Sequence, residues 1–181
     1  TNSSTLIGSG VYAITGDAVV NGAITGVTNL SVSGASTIAA NITTSGTQLY
    51  SGAVTLNVNT TLTTTDSNVT FASTVNSNTT PAKTLTIAAG SGTVTMNGAV
   101  GGVSVLGATT ITAGTFTSGS SGSIAMGGNA LTINADVINI GAAISGTSTL
   151  TIAPKTATTT IALGTSATGD LKLDDTELGY L

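Results

Sequence analysis

The chain of 181 residues has no cysteine, histidine, tryptophan or arginine, and three lysines, Lys83, Lys155 and Lys172. Each absence removes a chemistry. Without cysteine there are no disulfides, thiolate metal sites or thiol nucleophiles. Without histidine, a Ser-His-Asp triad and imidazole-held metals are impossible. Three scattered lysines cannot neutralise a run of phosphates, which excludes nucleic-acid binding and argues against an anionic membrane surface. Charged residues make up 6% of the chain and aromatics 3%, and the net charge is −4. No apolar run approaches the roughly 18 residues of a membrane-spanning helix. The first residues lack the basic and apolar parts of a signal peptide. A start at Thr1 and an abrupt end at Gly179-Tyr180-Leu181 read as an internal fragment or a mature form.

What remains is Thr, Ser, Gly, Ala and the apolar β-branched residues. The apolar fraction is 40%. Disordered chains are poor in such residues and rich in charge, so the composition argues for order. Val, Ile and Thr favour strands, and Gly or Thr interrupts almost every stretch that could be a helix.

Thr84 to Val100 shows the pattern most clearly. Leu85 and Ile87, then Val94 and Met96, alternate with Thr84, Thr86, Thr93 and Thr95 around a Gly90-Ser91-Gly92 break. Strict alternation over a few residues marks a strand with one buried face. The unit closes on Asn97-Gly98-Ala99-Val100. Related closures are Asn21-Gly22-Ala23-Ile24, Ser51-Gly52-Ala53-Val54, Ala72-Ser73-Thr74-Val75 and Gly141-Ala142-Ala143-Ile144. Their apolar ends fall at Ile24, Val54, Val75, Val100 and Ile144. The gaps are unequal, and the last is wide enough for two units.

Short strands and turns that recur with a period of about 20–30 residues predict a solenoid, in which stacked coils share one core. The expected fold is therefore all-β, a parallel β-solenoid of about 20–25 residues per coil, some eight coils and about 40 Å long at ~4.8 Å per coil. The competing architecture is an antiparallel β-sandwich, for which Asn21-Gly22 and Asn97-Gly98 would supply two-residue hairpin turns. Residues 1–17 read as a lead-in and 18–169 as the repeat region. Residues 170–181 read as a charged boundary, or linker to a further block, because Asp170, Lys172, Asp174, Asp175 and Glu177 hold half of all the charges. Leu171, Leu173 and Leu178 suggest that this segment still packs.

Reactive groupings are few. Lys83 and Lys155 follow prolines in turns and read as solvated lysines rather than partners of a nucleophilic serine. Asp174 and Asp175 would face opposite ways in a strand. Asp175 and Glu177 would share a face, a weak calcium set and a weaker hydrolase pair. No glycine cluster has the phosphate-loop pattern, and Asp17, Asp66 and Asp136 stand alone in the repeats. Tyr12, Tyr50 and Tyr180 are too scattered for a sugar platform. Asn-x-Ser/Thr triplets at Asn2, Asn29, Asn41, Asn59, Asn68 and Asn78 are expected by chance in so Ser/Thr-rich a chain. Pairs such as Thr61-Leu62-Thr63 and Thr110-Ile111-Thr112 suggest outward threonine rows. Their uneven spacing argues against the regular array of an ice-binding face.

The repeats Leu49 to Leu56, Asn68 to Val75 and Thr84 to Val100 resemble the shaft repeats of very large bacterial surface proteins, the filamentous-haemagglutinin-like adhesins and related exoproteins. The segment Asp174 to Leu181 looks like a linker between repeat blocks in such proteins. The resemblance covers almost the whole chain, rests on composition and degenerate repeats, and lacks the secretion-domain signatures of the family's amino-terminal part. It implies a right-handed parallel β-helix, a place at the extracellular cell surface, and roles in adhesion or cell–cell contact. It transfers no site residue. The expected function is thus a non-catalytic shaft segment with no cofactor. Its expected partners are other copies, bundled laterally because charge is sparse, and cell surfaces or glycans met through other parts of a larger protein. The alternatives are a carbohydrate- or ice-binding solenoid with a Thr/Asn/Ser face, and a polysaccharide-active β-helix enzyme.

Overall fold

The computed structural model describes residues 1, 4–78 and 80–181. Coils one to four each run through three short strands. Coil one holds β1 (Leu6–Ile7), β2 (Val11–Ile14) and β3 (Ala18–Val20). Coil two holds β4 (Ile24–Val27), β5 (Asn29–Val32) and β6 (Ser36–Ile38). Coil three holds β7 (Ile42–Thr44), β8 (Gln48–Tyr50) and β9 (Val54–Leu56). Coil four holds β10 (Thr60–Thr63), β11 (Val69–Phe71) and β12 (Val75–Ser77). Coil five holds β13 (Leu85–Ala88) and β14 (Thr93–Met96), and its third side is the single bridge residue Val100. In coils six and seven the first two strands fuse into β15 (Thr109–Ser118) and β17 (Leu131–Ile140), followed by β16 (Ile124–Gly127) and β18 (Ile144–Gly146). β19 (Leu150–Ala153) adds a last rung on the first side.

Among the described residues every strand pair is parallel, so the antiparallel sandwich is excluded. The fold is a β-solenoid of about seven turns. The first side links β1, β4, β7, β10, β13, β15, β17 and β19. The second links β2, β5, β8, β11, β14, β15 and β17. The third links β3, β6, β9 and β12, and continues through Val100 to β16 and β18.

Register shows how unequal coils stack. The steps from Leu6 to Ile24 and from Ile24 to Ile42 are shorter than the coil expected from the sequence, and the step from Leu62 to Ile87 is longer than either. The extra residues sit at corners and the ladders stay aligned. The predicted closing element is one such corner: Val54, Val75, Val100, Ile124 and Ile144 form one vertical column. Ile24 belongs to a different corner, stacked between Leu6 and Ile42. That is why the gap from Ile24 to Val54 is wider than the two that follow it. Gly52 and Gly98 pass the closing corner almost in contact with the coil beneath. A Cβ on Gly52 would lie 2.3 Å from the Gly34 carbonyl oxygen, and one on Gly98 would lie 2.4 Å from the Ser73 carbonyl carbon.

The core is the stack of inward residues. Ile38, Leu62, Ile87, Ile111 and Ile133 are fully buried. Tyr50 and Phe71 are register partners, and their rings stack with centroids 5.2 Å apart and planes 12° apart. The Tyr50 hydroxyl donates to Gln48 Oε1 (2.9 Å), and Gln48 Nε2 donates to the Thr63 carbonyl (3.0 Å) and Thr44 Oγ1 (3.3 Å). This buried network crosses from the second side to the first where the coils begin to lengthen.

The charged C-terminal segment folds onto the last coil. β20 (Ile161–Leu163) pairs with β21 (Leu171–Leu173), and Leu171 and Leu173 are buried in the core cluster. Helix α1 (Asp175–Leu178) follows, with a capping box between Asp174 and Glu177. The Ile144 N–H donates to the Tyr180 carbonyl at 2.7 Å, repeating the bond from Ile124 N–H to Ala143 one coil earlier. Leu178-Gly179-Tyr180-Leu181 therefore lies where the next corner would be.

Candidate functional surfaces: threonine ladders and corner side chains

Alternation turns every second strand residue outward. On the first side this aligns Thr61, Thr86, Thr110, Thr132 and Thr151 in one column. On the second side Thr70, Thr95 and Thr117 align with Asn139. The uneven coil lengths do not break these rows, contrary to the sequence expectation, because insertions bulge at corners. The predicted pairs keep only part of their frame. Thr86, not Thr84, joins the column of Thr61, and Thr84 meets Asn59.

The corners carry a feature that sequence patterning does not expose. Side-chain oxygens of Asn and Asp accept backbone N–H groups from the next coil. Asn29 Oδ1 accepts from Thr47 (2.8 Å), Asn41 from Thr61 (2.8 Å), Asn59 from Thr84 (3.0 Å), Asn68 from Thr93 (2.9 Å) and Asn76 from Val103 (3.0 Å). Asp17 accepts from Ala35 (2.8 Å), Asp66 from Ser91 (2.7 Å) and Asp136 from Thr156 (2.7 Å). A trace of it lies in the letters. Four of the six Asn-x-Ser/Thr triplets, at Asn29, Asn41, Asn59 and Asn68, are corner amides followed, two residues later, by an outward Ser or Thr. Asn2 lies outside the described residues.

Backbone and side-chain hydrogen bonds from the next coil hold the carboxyls of Asp66 (from Ser91) and Asp136 (from Thr156) below the usual carboxylate range. Bonds from Thr160 do the same for Asp170. Lys155 adds a weaker attraction at Asp66 and Asp136.

The expected calcium candidates, Asp175 and Glu177, accept from different main-chain N–H groups. Asp175 Oδ1 accepts from the Thr165 N–H (3.2 Å). Glu177 Oε2 accepts from the Asp174 N–H (3.0 Å), and its Oε1 reaches the Ile140 N–H (2.9 Å). Both sit in the first turn of α1, not on one strand face. Among the described residues no group of three or more His, Cys, Asp or Glu is placed to hold a metal. Lys83 meets Ser77 through its main-chain N–H (3.0 Å to Oγ). Tyr50 is in the core and Tyr180 packs against it, while Tyr12 is exposed on the first coil.

An apolar cavity of about 10 Å³ lies between Val100, Leu106, Ile124 and Leu131. An outer groove of about 280 Å³ runs between Val137–Asn139 and the side chains of Asp170, Lys172, Asp174 and Glu177. Asn139 donates to Thr117 Oγ1 of coil six (3.3 Å), and the other polar groups of that groove bond within the C-terminal segment or to coil seven. No helix of the described residues is long and apolar enough to cross a membrane. No family model matches the chain, and neither curated proteins nor solved structures give a match.

Proposed function

We propose that this chain is a stiff structural segment, the shaft of a large exported surface protein that holds binding parts away from the cell. The observation that supports the reading is the unbroken parallel stack whose coils are tied at the corners by Asn and Asp. Backbone ladders running along the axis resist bending, and so few lysines leave trypsin-like proteases little to cut. The carboxylates answer structural N–H groups, which favours a non-catalytic role over a polysaccharide-active enzyme.

A second reading has one specific observation in its favour. The column Thr61, Thr86, Thr110, Thr132 and Thr151 offers hydroxyls at roughly 4.8 Å intervals, a repeat that ice or a polysaccharide could meet. One set of assays separates the two. The purified chain is tested for adsorption to ice, to a glycan array and to intact cells, and antibodies raised against it are applied to the source cells. The shaft reading expects surface labelling and no saturable binding by the isolated chain. Saturable binding lost in Thr110→Lys would replace it with the binding face. Absence of surface labelling would remove the exported setting.

A further inference from the structure

The corner acceptors are not spread evenly. In the body of the rod they are mostly neutral amides: Asn29, Asn41, Asn59, Asn68 and Asn76, with Asp17 and Asp66 among them. From coil seven onward carboxylates predominate, beside the hydroxyls of Thr160 and Thr165, which accept the Asp170 and Asp175 N–H groups (3.1 and 3.4 Å). Asp136 and Glu177 tie the segment to coil seven, and Asp170 and Asp175 tie the segment to itself. Asp136 takes the Thr156 N–H (2.7 Å) and Oγ1 (2.8 Å). Asp170 takes the Thr160 N–H (3.1 Å) and Oγ1 (3.0 Å), and Asp175 takes the Thr165 N–H (3.2 Å). Asp174 holds the N–H groups of Thr176 (2.8 Å) and Glu177 (2.9 Å), and Glu177 holds that of Ile140 (2.9 Å).

We infer that the C-terminal segment, residues 154–181, is an acid-sensitive latch: acid unfastens it from coil seven while the amide-tied coils stay closed. A carboxylate accepts an N–H in a charge-assisted bond, and protonation removes the charge and one acceptor direction. An amide oxygen does not titrate in this range. The other charges facing the latch are Lys172, whose Nζ donates to the Thr165 carbonyl (2.6 Å), and Lys155, beside Asp136. Once the carboxylates are neutral, neither lysine has a counter-charge left there. Buried Leu171 and Leu173 then carry the attachment. Opening would bare the N–H groups of Ile140 and Ile144, now held by Glu177 Oε1 and the Tyr180 carbonyl.

The direction of the pH effect follows from linkage. Asp136 and Asp170 have lowered folded pKa values. Their contribution is complete above the unfolded value, about 4, and is lost as pH falls through the lower folded value. The window therefore lies below about pH 4.

The test is amide-resolved NMR hydrogen exchange on the whole chain from pH 6 to pH 2, corrected for intrinsic rates. Protection of Thr156, Thr160 and Ile144 should fall as pH drops below about 4, by up to about tenfold per pH unit for each carboxylate bond released, while that of Thr47, Thr61, Thr84 and Thr93 holds. The pair Asp136→Asn with Asp170→Asn should abolish the fall at Thr156 and Thr160, and Asp66→Asn should leave it intact. Uniform loosening of all coils, full protection of the segment at pH 2, or an unchanged fall in the paired variant would each overturn the latch.

Discussion

Ser36 is the one buried side chain among the described residues whose polar atom has no hydrogen-bond partner. It stands between Ala18 and Val54 in an otherwise apolar column. A buried hydroxyl without a partner costs about 1–3 kcal/mol. Ser36→Ala should therefore stabilise the chain by about 1 kcal/mol, read as a higher denaturation midpoint at unchanged slope. Tyr50 is the opposite case. Tyr50→Phe keeps the stack on Phe71 but leaves Gln48 Oε1 unanswered, and should cost about 1–2 kcal/mol; thermal melts of the two variants should move in opposite directions. Burial also pushes the Tyr50 hydroxyl far above its ordinary pKa, so its absorbance should show no phenolate until the rod unfolds in alkali. At the Asp66 corner, Asn should support the same N–H from Ser91 without its acid dependence. The Ser91 amide of Asp66→Asn should keep its protection below pH 4, where that of the parent chain weakens.

Single corners decide how strands become coils. Gly52 and Gly98 are required by proximity, not by an unusual backbone angle, because the backbone beneath fills the place of a Cβ. Gly98→Ala should cost about 2–4 kcal/mol, whereas Thr95→Ala, outward on the adjacent strand, should cost under about 1 kcal/mol; chemical denaturation of both measures the contrast. Much of this is legible in the letters. Alternation in Thr84–Val100 marks two strands and a corner, and the closures at Val54, Val75, Val100 and Ile144 mark one column. Asn21-Gly22-Ala23-Ile24 misleads because the same letters serve a different corner: what the motif encodes is a close turn, not its position around the rod. The fusion of two strands in β15 is hidden, since Gly114 looks like a break and is instead a point where two successive residues face outward. The corner amides are hidden as well, because their partner is a backbone N–H in the next coil. No spacing in a sequence of unequal coils announces such a partner. The placement of Asp175 and Glu177 turns on a single short helical turn that alternation does not foretell.

For the whole molecule, stability comes from neighbour-on-neighbour stacking, so a complete coil should be removable. Deleting residues 85–108 joins Thr84 to Thr109, the register partner of Leu85. The shortened chain should fold, keep its cross-section and lose about 4.8 Å of length by small-angle scattering. An unfolded product would show that coils five and six depend on each other beyond simple stacking.

The unequal coils have a further meaning. The chain spends more residues between Leu62 and Ile87 than between Leu6 and Ile24, yet each step is one rung. Axial length is thus counted in turns, while residues gained or lost at a corner change only the girth. Such a rod works as a ruler that tolerates spelling errors. Small insertions at its corners would leave its reach untouched, and only the gain or loss of an entire turn would change how far it extends.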